Sequence, residues 1–324
     1  MLRVISSLNY SLLAALLLLS AVSCREDVDE FRPYVFGPSQ ESLMQLLGEV
    51  PAAATVTTFT LQGLNHDSTL TTPSGLRIVL TDPDALFTNA NNQPVAASTC
   101  PHLQVEVVEA LDRRGLIGNR LHTATYPEGQ LLETGGGLHI RITCDGTPLR
   151  LLPNRTLKVQ IPVSAPESNM LTYSGITSNS EDFLGWQASG EPAYLAEWIS
   201  GSEVRKGYEV YPQGLGWIGV GRVLPETVSN FCVELPTAMT SQTARVMVVF
   251  QGVLAVANLQ YDAGDQRFCF QAPKGYPVQA IVVSKLGAQY WLGQRETEIG
   301  THTILPLEPQ KTSETTLLEF LQNL

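Results

Sequence analysis

Apolar and polar residues alternate with a period of two over much of the chain. Leu76, Ile78 and Leu80 alternate after a Pro73-Ser74-Gly75 turn, and Leu103, Val105 and Val107 alternate with Gln104 and Glu106. Leu138, Ile140 and Ile142 share a phase with Cys144 and leave His139, Arg141 and Thr143 opposite. Leu157, Val159, Ile161 and Val163 form one more such run. Successive side chains of a strand point to opposite faces, so each run predicts a strand with one buried face. Asp145-Gly146, which tolerates the positive φ angles of a tight hairpin, follows the third run at once. Short strands of this kind predict a β-sandwich module over residues 39–165.

The pattern then loosens. Residues 166–228 hold three of the four tryptophans, Trp186, Trp198 and Trp217, with Tyr173, Tyr194, Tyr208 and Tyr211. A Leu-Gly-Trp triplet occurs there twice, ending at Trp186 and Trp217. This stretch reads as an aromatic-rich strand meander joining two halves. Over residues 229–310 alternation returns: Phe231, Val233 and Leu235 flank Cys232 and Glu234, and Phe268 and Phe270 flank Cys269. Val246-Met247-Val248-Val249-Phe250 is apolar at every position, as in a strand covered on both faces. A second β-sandwich is the expectation. Short helices are predicted at both ends of the folded part. Residues 39–48 have Ser39 as cap, Glu41 at the positive end and Gly48 as exit. Residues 311–324 carry Leu317, Leu318, Phe320, Leu321 and Leu324.

The first thirty residues follow a different pattern. Arg3, a short apolar run ending at Leu19, and the small residues Ser20-Ala21-Val22-Ser23 read as a secretory signal peptide over 1–23. Its core is too short to span a bilayer comfortably as a permanent helix. Arg25-Glu26-Asp27-Val28-Asp29-Glu30 then opens an acidic tether over 24–38.

Charge narrows the partners. The 324 residues carry 20 Lys+Arg against 31 Asp+Glu, a formal charge of −11. An acidic balance with no basic cluster argues against nucleic acid and against charge-driven binding to anionic lipid. Of the five cysteines, Cys24 follows the leader, and Cys100, Cys144, Cys232 and Cys269 remain in an export compartment that permits disulfides. Three pairings exist on paper. Proximity favours Cys100–Cys144 and Cys232–Cys269, and free buried thiols are the other reading.

Ala21-Val22-Ser23-Cys24 resembles the lipobox of a bacterial lipoprotein, with Ala21 where that family prefers Leu. The resemblance implies a lipidated Cys24 and attachment to a membrane; a plain signal peptide with an incidental cysteine is the alternative. Arg25, Glu26 and Asp27 directly after it look like the export signal of surface lipoproteins in Bacteroidetes. Thr72-Pro73-Ser74-Gly75, Leu131-Leu132-Glu133-Thr134-Gly135-Gly136-Gly137 and Leu215-Gly216-Trp217 occur in the order seen in uncharacterised Bacteroidetes cell-envelope lipoproteins built from β-sandwich modules. In those relatives an Asn-Cys-Asp-like segment often follows the Gly-Trp, where this chain has Gly219-Val220-Gly221-Arg222. A fainter likeness to ZU5 domains carries no autoproteolysis, because their His-Phe-Ser is absent. The expected fold is therefore all-β, two Ig-like or ZU5-like sandwiches with a short helix at each end.

Motifs that carry chemistry are sparse. Gly135-Gly136-Gly137 is followed by a strand pattern and lacks Gly-Lys-Ser/Thr, so a bulge is expected rather than a phosphate cradle. No His-Glu-x-x-His, no Gly-x-Ser-x-Gly and no paired Cys-x-x-Cys is present, so no catalytic residue, metal ligand or cofactor is assigned and no enzyme is expected. Asp82, Asp84, Asn89, Asn91 and Asn92 suit either calcium or turns. Asp67-Ser68-Thr69 looks like an O-glycosylation site of Bacteroidetes. Trp186, Trp198 and Trp217 are candidate glycan contacts if exposed and core if buried. The function expected is a lipid-anchored structural or protein-interaction module at the outer membrane or cell surface. A glycan-binding lipoprotein is the alternative, and an enzyme with no recognisable catalytic motif comes third.

Overall fold

A computed structural model describes residues 56–179, 182–224 and 227–324. Cys24, Arg25, Glu26, Asp27, the leader, the tether and the helix expected over 39–48 lie outside the described residues. In chain order the principal strands begin with β1 (Val56–Leu61), β2 (Ser68–Thr71), β3 (Arg77–Leu80) and β4 (Leu103–Ala110). Helix α1 (Arg113–Gly118) precedes β5 (Leu132–Cys144), β6 (Lys158–Pro162), β7 (Leu171–Thr177) and β8 (Phe183–Pro192). Next come β9 (Tyr194–Ser200), β10 (Glu203–Val210), β11 (Gly216–Val223) and β12 (Val228–Glu234). The rest are β13 (Ala244–Phe250), β14 (Val256–Asn258), β15 (Gln260–Asp262), β16 (Arg267–Pro273) and β17 (Pro277–Leu286). The described chain closes with β18 (Gln289–Glu298), β19 (Ile304–Pro306), β20 (Gln310–Thr312) and helix α2 (Glu314–Gln322). The fold is all-β with a C-terminal helix.

Four sheets form two sandwiches. Sheet I runs β1-β4-β5-β11-β7-β8 and faces sheet II, β9-β10-β6-β3-β2. Sheet III runs β15-β16-β12-β19 and faces sheet IV, β14-β13-β17-β18-β20. The alternating residues fill the first core as expected: Leu103, Val105, Val107, Leu138, Ile140 and Ile142 come from sheet I, and Ile78, Leu80, Val159 and Ile161 from sheet II. Asp145 and Gly146 take φ of 46° and 79° in the turn after β5. Phe231, Val233 and Phe268 of sheet III meet Val246, Val248, Phe250, Val278 and Val282 of sheet IV in the second core.

The strands between Leu171 and Val223, in the stretch 166–228 expected as a connector, are built into the first sandwich. β7, β8 and β11 belong to sheet I, β9 and β10 to sheet II. Without them sheet I would stop at β5 and sheet II at β6. Tyr208 and Val210 of β10 and Ile218 and Val220 of β11 instead extend the core across those edges.

A third apolar cluster joins the sandwiches. The outer face of sheet IV presents Met247, Val249, Ile281 and Val283, opposite the face that fills the second core. Leu116 and Ile117 of α1, Tyr173 and Trp186 of sheet I, and Leu317 and Leu321 of α2 are gathered in the same cluster. Thr123 N donates to Val256 O at 2.7 Å, and Thr134 N to Leu254 O at 2.9 Å, so the junction is hydrogen-bonded as well as packed. Ser313 caps α2 by accepting from Thr316 N at 3.1 Å.

The triple glycine sits in this frame as a bulge. Pairing of β5 with β11 slips between Gly219 and Gly221, and Gly136 adopts φ 102°. The slip switches phase, so Gly135 lies against the Tyr208 ring and Gly137 against Trp186. A side chain at Gly135 would collide with Tyr208. The motif serves close packing.

Candidate functional site: the β9–β10 hairpin

β9 and β10 pair from Tyr194↔Glu209 to Ser200↔Glu203, and Gly201 takes φ 63° in the turn. β9 is the last strand of sheet II, so one side of it has no strand neighbour. β8, which ends two residues before β9 begins, is last in sheet I, but there Trp186 N donates to Ala124 O and Trp186 O accepts from Tyr126 N, both at 2.9 Å. An open edge such as that of β9 presents unpaired backbone donors and acceptors.

The hairpin carries apolar residues on both faces. Leu195, Ile199 and Val204 share the phase of Tyr208 and Val210, which point into the first core. The layer that covers Tyr208 does not reach them: Leu195 is 57%, Ile199 71% and Val204 64% exposed. Ile199 and Val204 are direct cross-strand partners, and the Lys206–Glu197 ion pair at 3.2 Å separates them from Leu195. Tyr194 lies in the opposite phase, where its ring meets Tyr211 edge to face at 6.2 Å.

Beside those tyrosines Glu209 is tied three ways. It accepts from Lys158 Nζ at 2.7 Å, from Gln160 Nε2 at 2.8 Å and from the Tyr211 hydroxyl. Burial pushes the Glu209 carboxyl up, but the bonds from Lys158, Tyr211 and Gln160 outweigh it and hold the group below its ordinary value. The bond to Glu209, helped by burial, pushes the Tyr211 phenol up to about 12. The cluster is thus a fixed carboxylate, one ammonium and two exposed phenol rings. It can bond hydroxyls and stack on flat apolar surface; no nucleophile is activated in it.

The tryptophans do not form a platform. Trp186 is buried at the junction, lies over Gly137 and Gly219, and donates Nε1–H to His122 O at 2.8 Å. Trp198 is buried on the outer face of sheet II against Gly207, donating to Gly75 O at 3.1 Å. Neither indole can stack on a sugar, which corrects the glycan-contact expectation for both. Trp217 is half-buried, with its ring edge to face with His139 at 5.2 Å.

The remaining candidates resolve into structure. Cys100–Cys144 and Cys232–Cys269 are both disulfide-bonded, with Cα–Cα distances of 5.7 and 4.1 Å. Cys232 and Cys269 are direct partners across β12 and β16. Asn89 Oδ1 accepts from Asn91 N and Gln93 N, and Asp84 from Ser98 N and Oγ, which is turn chemistry. Among the described residues no three His, Cys, Asp or Glu side chains gather as metal ligands.

Sequence reasoning did not pick out Leu195, Ile199 or Val204 as a site, and held Tyr194 and Tyr211 only as members of the aromatic group. The signal present was a run from Tyr194 to Ile199 broken only by Glu197, which reads as a covered strand.

No protein-family model, curated protein or solved structure matches the chain.

Proposed function

We propose that the protein is a lipid-anchored module of the bacterial outer membrane or cell surface, and that it docks a protein partner along the β9 edge. The observation that carries the docking half is the concentration of uncovered apolar side chains on one edge hairpin. Contiguous apolar surface on a soluble face marks interaction sites, and an open edge can add a partner strand through backbone hydrogen bonds while alternate side chains fill pockets. The anchoring half rests on Ala21-Val22-Ser23-Cys24 and the acidic residues after it.

The glycan alternative moves with the aromatics. Tyr194 at 52% and Tyr211 at 36% exposure, beside Glu209 and Lys158, favour it over the buried indoles.

One strain tests both halves. A photo-crosslinking residue replaces Ile199 in the full chain, with and without Cys24→Ala. The expected result is a discrete adduct with an envelope protein, and release of the Cys24→Ala protein into the aqueous fraction. Unchanged membrane partitioning overturns the anchor. No adduct from position 199, with glycan-array binding lost in Tyr194→Ala, overturns protein docking in favour of the sugar.

A further inference from the structure

Ladder parity decides which residues of β9 turn their backbone outward. The two-residue loop Gly201-Ser202 makes Ser200 and Glu203 the hydrogen-bonded pair that closes the hairpin. Hydrogen-bonded and non-hydrogen-bonded pairs alternate along an antiparallel ladder. Ile199↔Val204, Glu197↔Lys206 and Leu195↔Tyr208 are then the non-hydrogen-bonded pairs. Lys206 O fits this parity, accepting from Val163 N on the far side of β10 at 2.9 Å. Leu195, Glu197 and Ile199 therefore turn their N–H and C=O toward the open edge. Among the described residues no backbone bond engages those groups.

The same three residues share one face of the strand. Exposed Leu195 and Ile199 lie two places to either side of Glu197. Glu197 Oε1 accepts from Lys206 Nζ at 3.2 Å, and the carboxylate stays largely open to solvent. A strand laid antiparallel along β9 sets one side chain opposite each of the three. A second copy of β9 in that register matches Leu195 with Ile199 but puts Glu197 opposite Glu197. Like charges directly opposite are destabilising, so the edge disfavours its own copy, as charges on exposed edges do elsewhere.

Resting on the docking reading, we infer that β9 takes an antiparallel extended segment of a partner protein, with lysine or arginine opposite Glu197 and apolar residues two places to either side. Backbone bonds to Leu195, Glu197 and Ile199 hold the segment, as in strand addition generally. Its cation completes a row of alternating charge with Glu197 and Lys206 across three strands. Its apolar residues cover the side chains that sheet I leaves open. The formal charge of −11 attracts a basic segment in the same sense.

Fluorescence anisotropy of labelled seven-residue peptides against the folded chain tests the register and the charge. Each peptide has valine at its second and sixth places, lysine, glutamine or glutamate in the centre, and threonine elsewhere. The expected order of affinity is lysine, glutamine, glutamate, with at least about threefold between the extremes at low salt. Glu197→Lys should reverse that order and Glu197→Gln should remove the lysine advantage, each with the fold intact by circular dichroism. N-methylation of the lysine peptide at its second and sixth residues, which face β9, should abolish binding. The same change at the third and fifth should not. No binding of the lysine peptide, equal affinities, an order unmoved in both folded variants, or equal harm from the two methylations overturns the inference. So does a dimer of the free chain that is lost in Ile199→Asp, because a second copy then occupies β9. The photo-adduct from position 199 separates this inference from the reading beneath it. An adduct without peptide discrimination leaves docking in place and overturns the basic strand alone; loss of both overturns docking as well.

Discussion

Sheet IV and the β9–β10 hairpin are both apolar on two faces, and they meet opposite fates. Met247, Val249, Ile281 and Val283 gather in one cluster with α1, α2 and the outer side of sheet I, and all four are buried. Leu195, Ile199 and Val204 stay more than half exposed. Fully burying an aliphatic side chain of that size contributes about 1.5–3 kcal/mol, so covering the hairpin would add part of that for each of the three. An apolar pattern therefore states which residues can be buried. Chain topology decides which of them are.

The junction side of this contrast is tested by Trp186→Ala, for which the largest effect is expected. The indole fills the space over Gly137 and Gly219, and its Nε1–H satisfies His122 O. Its removal leaves a cavity and an unbonded carbonyl, for a cost of about 3–5 kcal/mol. Urea unfolding at neutral pH measures it. A loss under about 1 kcal/mol would mean that the two sandwiches do not share a core.

Acid titration probes the same junction more gently. The His122 ring packs edge to face on Phe183 at 5.3 Å, and its Nδ1 accepts from Ala124 N at 3.3 Å. Desolvation lowers its pKa from 6.5 to about 4. The folded state holds the ring neutral while the unfolded state takes a proton below about 6.5, so unfolding becomes easier as pH falls. That contribution is complete above pH 6.5 and is lost progressively down to about pH 4. At about 1.4 kcal/mol per pH unit, and discounted for the ring edge that remains near solvent, it amounts to about 2–3 kcal/mol. Unfolding free energies at pH 7.5, 5.5 and 4.5 should fall in that order, and His122→Asn should flatten the slope. An equal slope in the variant would place the acid sensitivity elsewhere.

Much of the fold is legible in the sequence where one face of a strand is buried. Val105, Ile140 and Val159 announce their strands by phase alone, and the apolar run 246–250 announces cover on both sides. The favoured cysteine pairs follow from proximity in sequence, and both are bonded. Strands of residues 171–223 are harder to place because their pattern is diluted. Residues 187–192 of β8 are all exposed, and β7 slips register between Leu171 and Tyr173. The site is less legible still. Trp198 and Ile199 are adjacent apolar residues of one strand, and one is 5% and the other 71% exposed. What separates them is Gly207, which gives the Trp198 ring a surface to lie on, and the end of sheet I, which stops short of Ile199. Neither is local in sequence.

The smallest effect is expected at the hairpin itself. Ile199→Ser removes a side chain that touches little, so stability should change by no more than about 0.5 kcal/mol, as for other surface substitutions. Val204→Thr keeps the β-branched shape and should change less. Because Ile199 and Val204 are cross-strand partners, the double variant can lose a further few tenths of a kcal/mol through their mutual contact. Urea unfolding of the three proteins in parallel, at equal concentration, reads these differences. A penalty above about 1.5 kcal/mol for Ile199→Ser would show the hairpin to be covered in solution, by a second copy or another part of the chain. Repeating the measurement over a hundredfold range of concentration separates those two: a penalty that grows with concentration belongs to an assembly, a constant one to the chain. If the penalty stays small while the adduct from position 199 persists, Ile199 contributes to a partner and almost nothing to the fold.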